Sequence, residues 1–154
     1  MTAPDQTPRT PRDDTGLDRS GLDDTGLEVL DVEACIARLA RTPIGRMAFV
    51  EDGRLTVLPV TYGWHEGGIV FRTLHGGKLS AAAHREEVAF EVDEWDADHH
   101  TGWSVLVRGT ARVVTDWAER EELEQSGVVA WAKERWRDRW VRIEPDEITG
   151  RRIP

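Results

Sequence analysis

Ile69-Val70-Phe71-Arg72-Thr73-Leu74-His75-Gly76-Gly77-Lys78-Leu79-Ser80-Ala81-Ala82-Ala83 changes character twice along its length. Apolar, β-branched and aromatic residues predict a strand over 69–73, the glycine pair a tight turn, and the alanine-rich run from Lys78 a helix. Strand, turn and helix start together carry Arg72, Thr73 and Lys78. These are parts a phosphate needs: main-chain N–H groups at a helix start, glycines that permit close approach, and a cation beside them. The segment is not a P-loop, because the full spacing of two glycines before Lys-Ser/Thr is missing. The plainer alternative is a turn flanked by two solvated cations.

The rest of the chain bounds what such a site can serve. With 154 residues, 39% of them hydrophobic, one domain with its own core is expected. A net charge of −9 excludes general nucleic-acid binding, which needs a basic face, so an anion site must be local. Cys35 is the one cysteine, which rules out an internal disulfide or a multi-cysteine metal site and reads as a buried structural thiol. No apolar run approaches the roughly 20 residues needed to cross a bilayer, and the N-terminus lacks a signal pattern, so no membrane partner and a cytoplasmic location are expected.

Outward from the central stretch, residues 1–26 are rich in turn-forming and charged residues. They carry a five-residue repeat, Thr15-Gly16-Leu17-Asp18, Ser20-Gly21-Leu22-Asp23 and Thr25-Gly26-Leu27-Glu28. Such a composition buries too little surface to offset ordering entropy, which predicts a disordered tail ahead of a folded domain over 27–154; a docking motif that folds on a partner is the sharper alternative. Asp31 is placed to cap a helix through Val32, Cys35, Ile36 and Leu39, stopped at Thr42-Pro43. Strands follow over 44–50 and 54–62 around Asp52-Gly53, a strong hairpin signal. Pro59 removes a ladder donor, so that position belongs on an edge, at a bulge or facing a ligand.

Further strands are predicted over 88–92 and 102–114, with an acidic loop over 93–101 between them and a bend at Gly109. Asp116 and Glu119 suit a capping box for a polar helix to about Gln125. The segment 128–139 fits neither a helix stripe nor a strand face. Trp140 to Glu144 alternates as a strand that Pro145 ends, and 148–153 offers a further one. The sum is a mainly β chain, a six- to seven-stranded antiparallel small barrel with two or three flanking helices.

In this order the motifs resemble the pyridoxamine 5′-phosphate oxidase-like superfamily of flavin-binding split β-barrels. The resemblance rests on Thr42 to Phe49, Leu58-Pro59-Val60-Thr61-Tyr62, Ile69 to Thr73 with Gly77-Lys78-Leu79, Val88 to Asp93, Gly102 to Gly109 and Trp140 to Ile143. It implies a homodimer with FMN at the subunit interface, the phosphate near Arg72, Thr73 and Lys78. The isoalloxazine would lie along Pro59, Val60 and Thr61, with Trp103, Ser104 and Trp140 nearby, some from the second subunit. It also implies hydride or electron transfer to or from a small organic molecule. A deazaflavin coenzyme, or a non-catalytic flavin- or haem-binding role, is the alternative on the same fold. The basic residues near the C-terminus, Arg142, Arg151 and Arg152, do not make a convincing substrate-phosphate site, which argues against pyridoxal formation.

Other groups carry less. The tryptophans read first as buried area in a core or interface. His99-His100 beside Asp93, Asp96 and Asp98 reads as a solvated acidic loop, so no metal site is expected. His75 is either a phosphate donor or a turn residue, and His65 and His84 read as surface. Spacing supports no hydrolytic triad, which agrees with a cofactor carrying the chemistry.

Overall fold

The computed structural model describes residues 21–74, 76–128 and 139–154. Among them the elements are β1 (Glu28–Leu30), α1 (Val32–Arg41), β2 (Ile44–Glu51), β3 (Arg54–Thr61), β4 (Gly63–His65), β5 (Gly68–Thr73), α2 (Gly77–Ala83), β6 (Glu87–Asp96), β7 (Thr101–Val113), α3 (Trp117–Gln125) and β8 (Arg139–Arg152). One antiparallel sheet runs β3-β2-β6-β7-β8-β5-β4, with β1 added on β8. It curls into a half-barrel, in accord with the mainly β class expected. Two short strands, β1 and β4, take the count to eight.

Local chemistry explains the elements. Asp31 accepts from the Ala34 N–H at 2.7 Å and starts α1, and the Thr42 N–H closes it on Arg38. Asp52 and Gly53 hold φ of 50° and 73°, the left-handed pair that a two-residue hairpin requires between β2 and β3. Gly109 marks the register shift between β7 and β8, where Arg108 faces Glu147 and Gly109 faces Pro145, so Asp146 is the extra residue. A Cβ on Gly109 would run into the Glu144 carbonyl oxygen.

That bulge changes two readings. Pro145 does not end the strand, because at the bulge its missing N–H is tolerated and β8 continues to Arg152. The acidic stretch 93–96 is not loop either; it pairs with 101–104 as the tip of the β6–β7 hairpin. Residues 1–20 of the expected tail, and 129–138 of the ambiguous segment, lie outside the described residues. Residues 21–26 form a turn in which Asp23 accepts from the Thr25 and Leu27 N–H groups and pairs with Arg151 on β8 at 2.7 Å.

The concave face of the sheet holds the main core. Met47, Phe49, Phe71, Phe90 and Val107 are fully or almost fully buried there, closed by Cys35 and Leu39 from α1 and by Ala81 and Ala82 from α2. Small side chains let the short α2 pack against the barrel as the chain crosses from β5 to β6. On the opposite face a smaller cluster of Val70, Val114, Leu123 and Trp140 lies under α3.

Candidate cofactor site

Thr73 ends β5 and shares the core-facing side of the strand with Phe71, since side chains alternate. Gly76 then takes a φ of 137°, which side chains rarely adopt, and α2 begins without a side-chain cap. At Gly77 a Cβ would overlap the Phe49 ring and the Glu51 carboxylate, so the glycine brings α2 against the end of β2. Lys78, next in line, is half-buried; desolvation holds its ammonium below the ordinary lysine range, with the Glu51 carboxylate opposing that shift. A partly dry cation beside a glycine turn is suited to an anion. The Thr73 hydroxyl donates to the Leu74 carbonyl at 3.3 Å. His75 lies outside the described residues.

Arg72 and Trp140 keep other company. They are register partners on β5 and β8, facing α3 rather than the core. The Arg72 guanidinium lies 5.2 Å from the Trp140 ring centroid and donates to Glu124 at 3.1 Å, and the Trp140 indole N–H donates to the same carboxylate at 2.9 Å. Trp140 is 2% exposed, so its ring is spent on packing. Glu124 gathers both residues, and strand alternation turns Arg72 away from Thr73.

The same face carries a charge network. Glu119 accepts from Arg112 at 2.8 Å and from Arg142 at 2.7 Å, and Arg112 also reaches Glu144 at 2.5 Å. The capping box is thus half made: Asp116 accepts from the Glu119 N–H, while the Glu119 side chain serves the arginines instead. Hydrogen bonds from Arg112, and secondarily Arg142, hold the Glu119 carboxyl below the ordinary glutamate range. A depressed carboxyl contributes stability above its unfolded pKa that is lost as pH falls through the folded value. Glu119→Gln is therefore expected to lose about 2–3 kcal/mol at neutral pH and to show a flatter loss on acidification than the parent, checked by urea unfolding at pH 7 and pH 4.

Pro59, Val60 and Thr61 lie on β3, a sheet edge paired with β2. Val60 points into the core and is 5% exposed, so toward a ligand it offers main-chain groups. Pro59 and Thr61 face outward, opposite Arg46 and Ile44. The next residue anchors this edge: the Tyr62 hydroxyl donates to the Leu39 carbonyl at 2.7 Å, and its ring meets Phe90 edge-on at 4.7 Å. The outer face of β2 and β3 is apolar and open, with Val57 56%, Leu55 77% and Val50 53% exposed.

Trp103 and Ser104 open β7. Trp103 is flanked by the Arg38 and Arg41 guanidinium groups at 5.4 and 5.6 Å, and Ser104 is exposed. Ala111, which bonds the Glu86 carbonyl just after α2, lies about 23 Å along the strand from Ser104 at the usual rise. The fold of one chain thus brings Thr73 and Lys78 to the same turn. It sends Arg72 and Trp140 to the α3 face and leaves Trp103 and Ser104 well away along β7.

A curled antiparallel half-barrel with a short alanine-rich crossover helix is a split barrel. Residues 31–152 match the family described as pyridoxamine 5′-phosphate oxidase, and the chain belongs to that family. The FAD binding protein of Mycobacterium smegmatis is similar at 34% identity and a TM-score of 0.69, over 82% of this chain and 99% of that one. An uncharacterized protein of Mycobacterium tuberculosis is 33% identical over 129 residues, 80% of this chain and 84% of its own. An FAD-binding protein of Mesorhizobium loti shares the fold, with a TM-score of 0.71 at 20% identity, over 83% of this chain and 99% of that chain.

Proposed function

We propose that this chain is a homodimeric flavoprotein that holds the FMN moiety of a flavin and transfers hydride or electrons to or from a small organic molecule. The observation that carries the reading is the half-buried, desolvated Lys78 beside Thr73 at the Gly76-Gly77 turn, in a chain 34% identical to an FAD binding protein. In this reading Lys78 and the Thr73 hydroxyl hold the phosphate, and the main chain of Pro59, Val60 and Thr61 borders the ring. Trp103 and Ser104 come from the second subunit, which their distance along β7 from the α2 end favours. Arg72 reaches the phosphate only by leaving Glu124, so its contribution is field rather than contact. The flavin supplies the redox chemistry; the protein binds it, orients it and excludes water.

The open apolar face of β2 and β3 supports the dimer, since monomers rarely leave such a face uncovered. A cytoplasmic setting suits Cys35, a buried thiol whose pKa is raised by burial. The test is the visible spectrum of the purified protein alone and with FMN, FAD or a deazaflavin added separately. A flavin spectrum shifted from that of the free cofactor is expected, with turnover of a reductant faster than free flavin allows. A protein that perturbs none of the three would end the proposal, and one that perturbs the deazaflavin alone would replace the cofactor.

A further inference from the structure

On the α3 side of the molecule three side chains with no part in the flavin reading converge. His65 ends β4, Glu66 begins the turn to β5, and Glu122 lies on α3. One ring nitrogen of His65 and one carboxylate oxygen from each glutamate lie within 4.8 Å of one another. His65 Nε2 is buried with no hydrogen-bond partner. Among the described residues, neither Glu66 nor Glu122 has an ion pair or a hydrogen bond through its carboxylate.

Two carboxylates meet here, and the arginines that line the same groove are hydrogen-bonded to other carboxylates. Arg112 is taken by Glu119 and Glu144, and Arg142 by Glu119. Arg142 Nη1 donates to the His65 carbonyl at 2.9 Å, which steadies the backbone of the histidine itself. The triad therefore gathers two carboxylates without an ion-pair partner among the described residues, and the same histidine carries a buried ring nitrogen without a hydrogen-bond partner. A divalent cation satisfies both needs at once.

We propose that His65, Glu66 and Glu122 form a binding site for a divalent transition-metal ion. One imidazole nitrogen and two carboxylate oxygens suit Zn²⁺, Co²⁺, Ni²⁺ or Mn²⁺, and small side-chain rotations bring ligand atoms 4.8 Å apart or closer to the roughly 3–3.5 Å that a shared ion sets. A groove of about 640 Å³ lined by Glu66, Glu122, Arg112 and Arg142 leaves room for water on the glutamate side of the site. The ion would fasten α3 to the β4–β5 turn. That helix buries only Leu123 and otherwise depends on its ionic contacts, so a metal tie there is worth more than on a helix with a full apolar face.

The test is independent of the cofactor: Zn²⁺ is titrated calorimetrically into the full chain without an affinity tag, and Co²⁺ binding is followed by its ligand-field absorption. One saturable site per chain is expected, with affinity reduced at least roughly tenfold in Glu122→Gln and in His65→Asn, and the Co²⁺ band lost in both. The paired variant His99→Ala with His100→Ala, on the β6–β7 hairpin where His99 already bonds Asp96, is expected to bind as the parent does. Absence of a saturable site, undiminished binding in Glu122→Gln, or loss of binding in the His99/His100 variant would overturn the assignment. Should His65→Asn not fold, Glu122→Gln at an exposed helical position decides alone, with circular dichroism confirming its fold.

Discussion

Lys78→Ala is expected to purify with little bound flavin and to bind added FMN about a hundredfold more weakly than the parent. The size follows from removing a charge-assisted contact to a phosphate, roughly 2–3 kcal/mol when the cation is partly desolvated. Burial already holds Lys78 below the ordinary lysine range, so flavin affinity should begin to fall on the alkaline side earlier than an exposed lysine would allow. A bound dianion pulls the other way, raising the ammonium pKa and extending the bound state to higher pH. Lys78→Arg keeps the charge and should recover part of the binding. Fluorescence quenching on titration with FMN measures all three proteins, and equal affinity in Lys78→Ala would remove this residue from the site.

The second large effect is expected at Val57, on the open face of β3 and 56% exposed in the single chain. In the proposed dimer twofold symmetry would repeat any change there in both subunits, so Val57→Asp would place two carboxylates in or near one apolar contact. The cost is several kcal/mol, enough to raise the dimer dissociation constant about a thousandfold or more. The chain itself should remain folded, because the residue contributes little to its own core. Sedimentation velocity is expected to show dimer for the parent and monomer for the variant, with flavin lost in parallel if the second subunit supplies Trp103 and Ser104. A parent that sediments as monomer, or a variant that stays dimeric with its flavin, would place the interface elsewhere.

The strands were legible because their signals are local. Asp52-Gly53 dictates its hairpin through two positive φ angles, Asp31 caps α1 through a single short hydrogen bond, and Gly109 marks a bend that only a residue without Cβ can make. The turn and helix start around Lys78 were legible for the same reason, since glycine pair and alanine run lie within a few residues. What was not legible depends on partners distant in the chain. Arg72 meets a glutamate 52 residues away, and nothing near Arg72 announces it. Adjacent residues on a strand face opposite sides, so Arg72 and Thr73 leave β5 in opposite directions. Pro145 misled because a proline reads as a stop unless the bulge opposite it is known. The grouping of His65, Glu66 and Glu122 has no local signal, because His65 and Glu122 come together only when α3 folds back over the β4–β5 turn.

The position of β8 has a consequence for biosynthesis. It is the last strand in chain order, yet it pairs with β1, β5 and β7 and so lies between parts of the sheet made long before it. Until β8 leaves the ribosome, β5 and β7 have no common neighbour, and Val70, Phe71 and Val107 face incomplete cores. The barrel therefore closes only once β8 has been made, through contacts distant in sequence that set a slow step. A chain halted before Arg139 leaves β1, β5 and β7 without the strand they share, and edges of that kind are open to pairing with other chains.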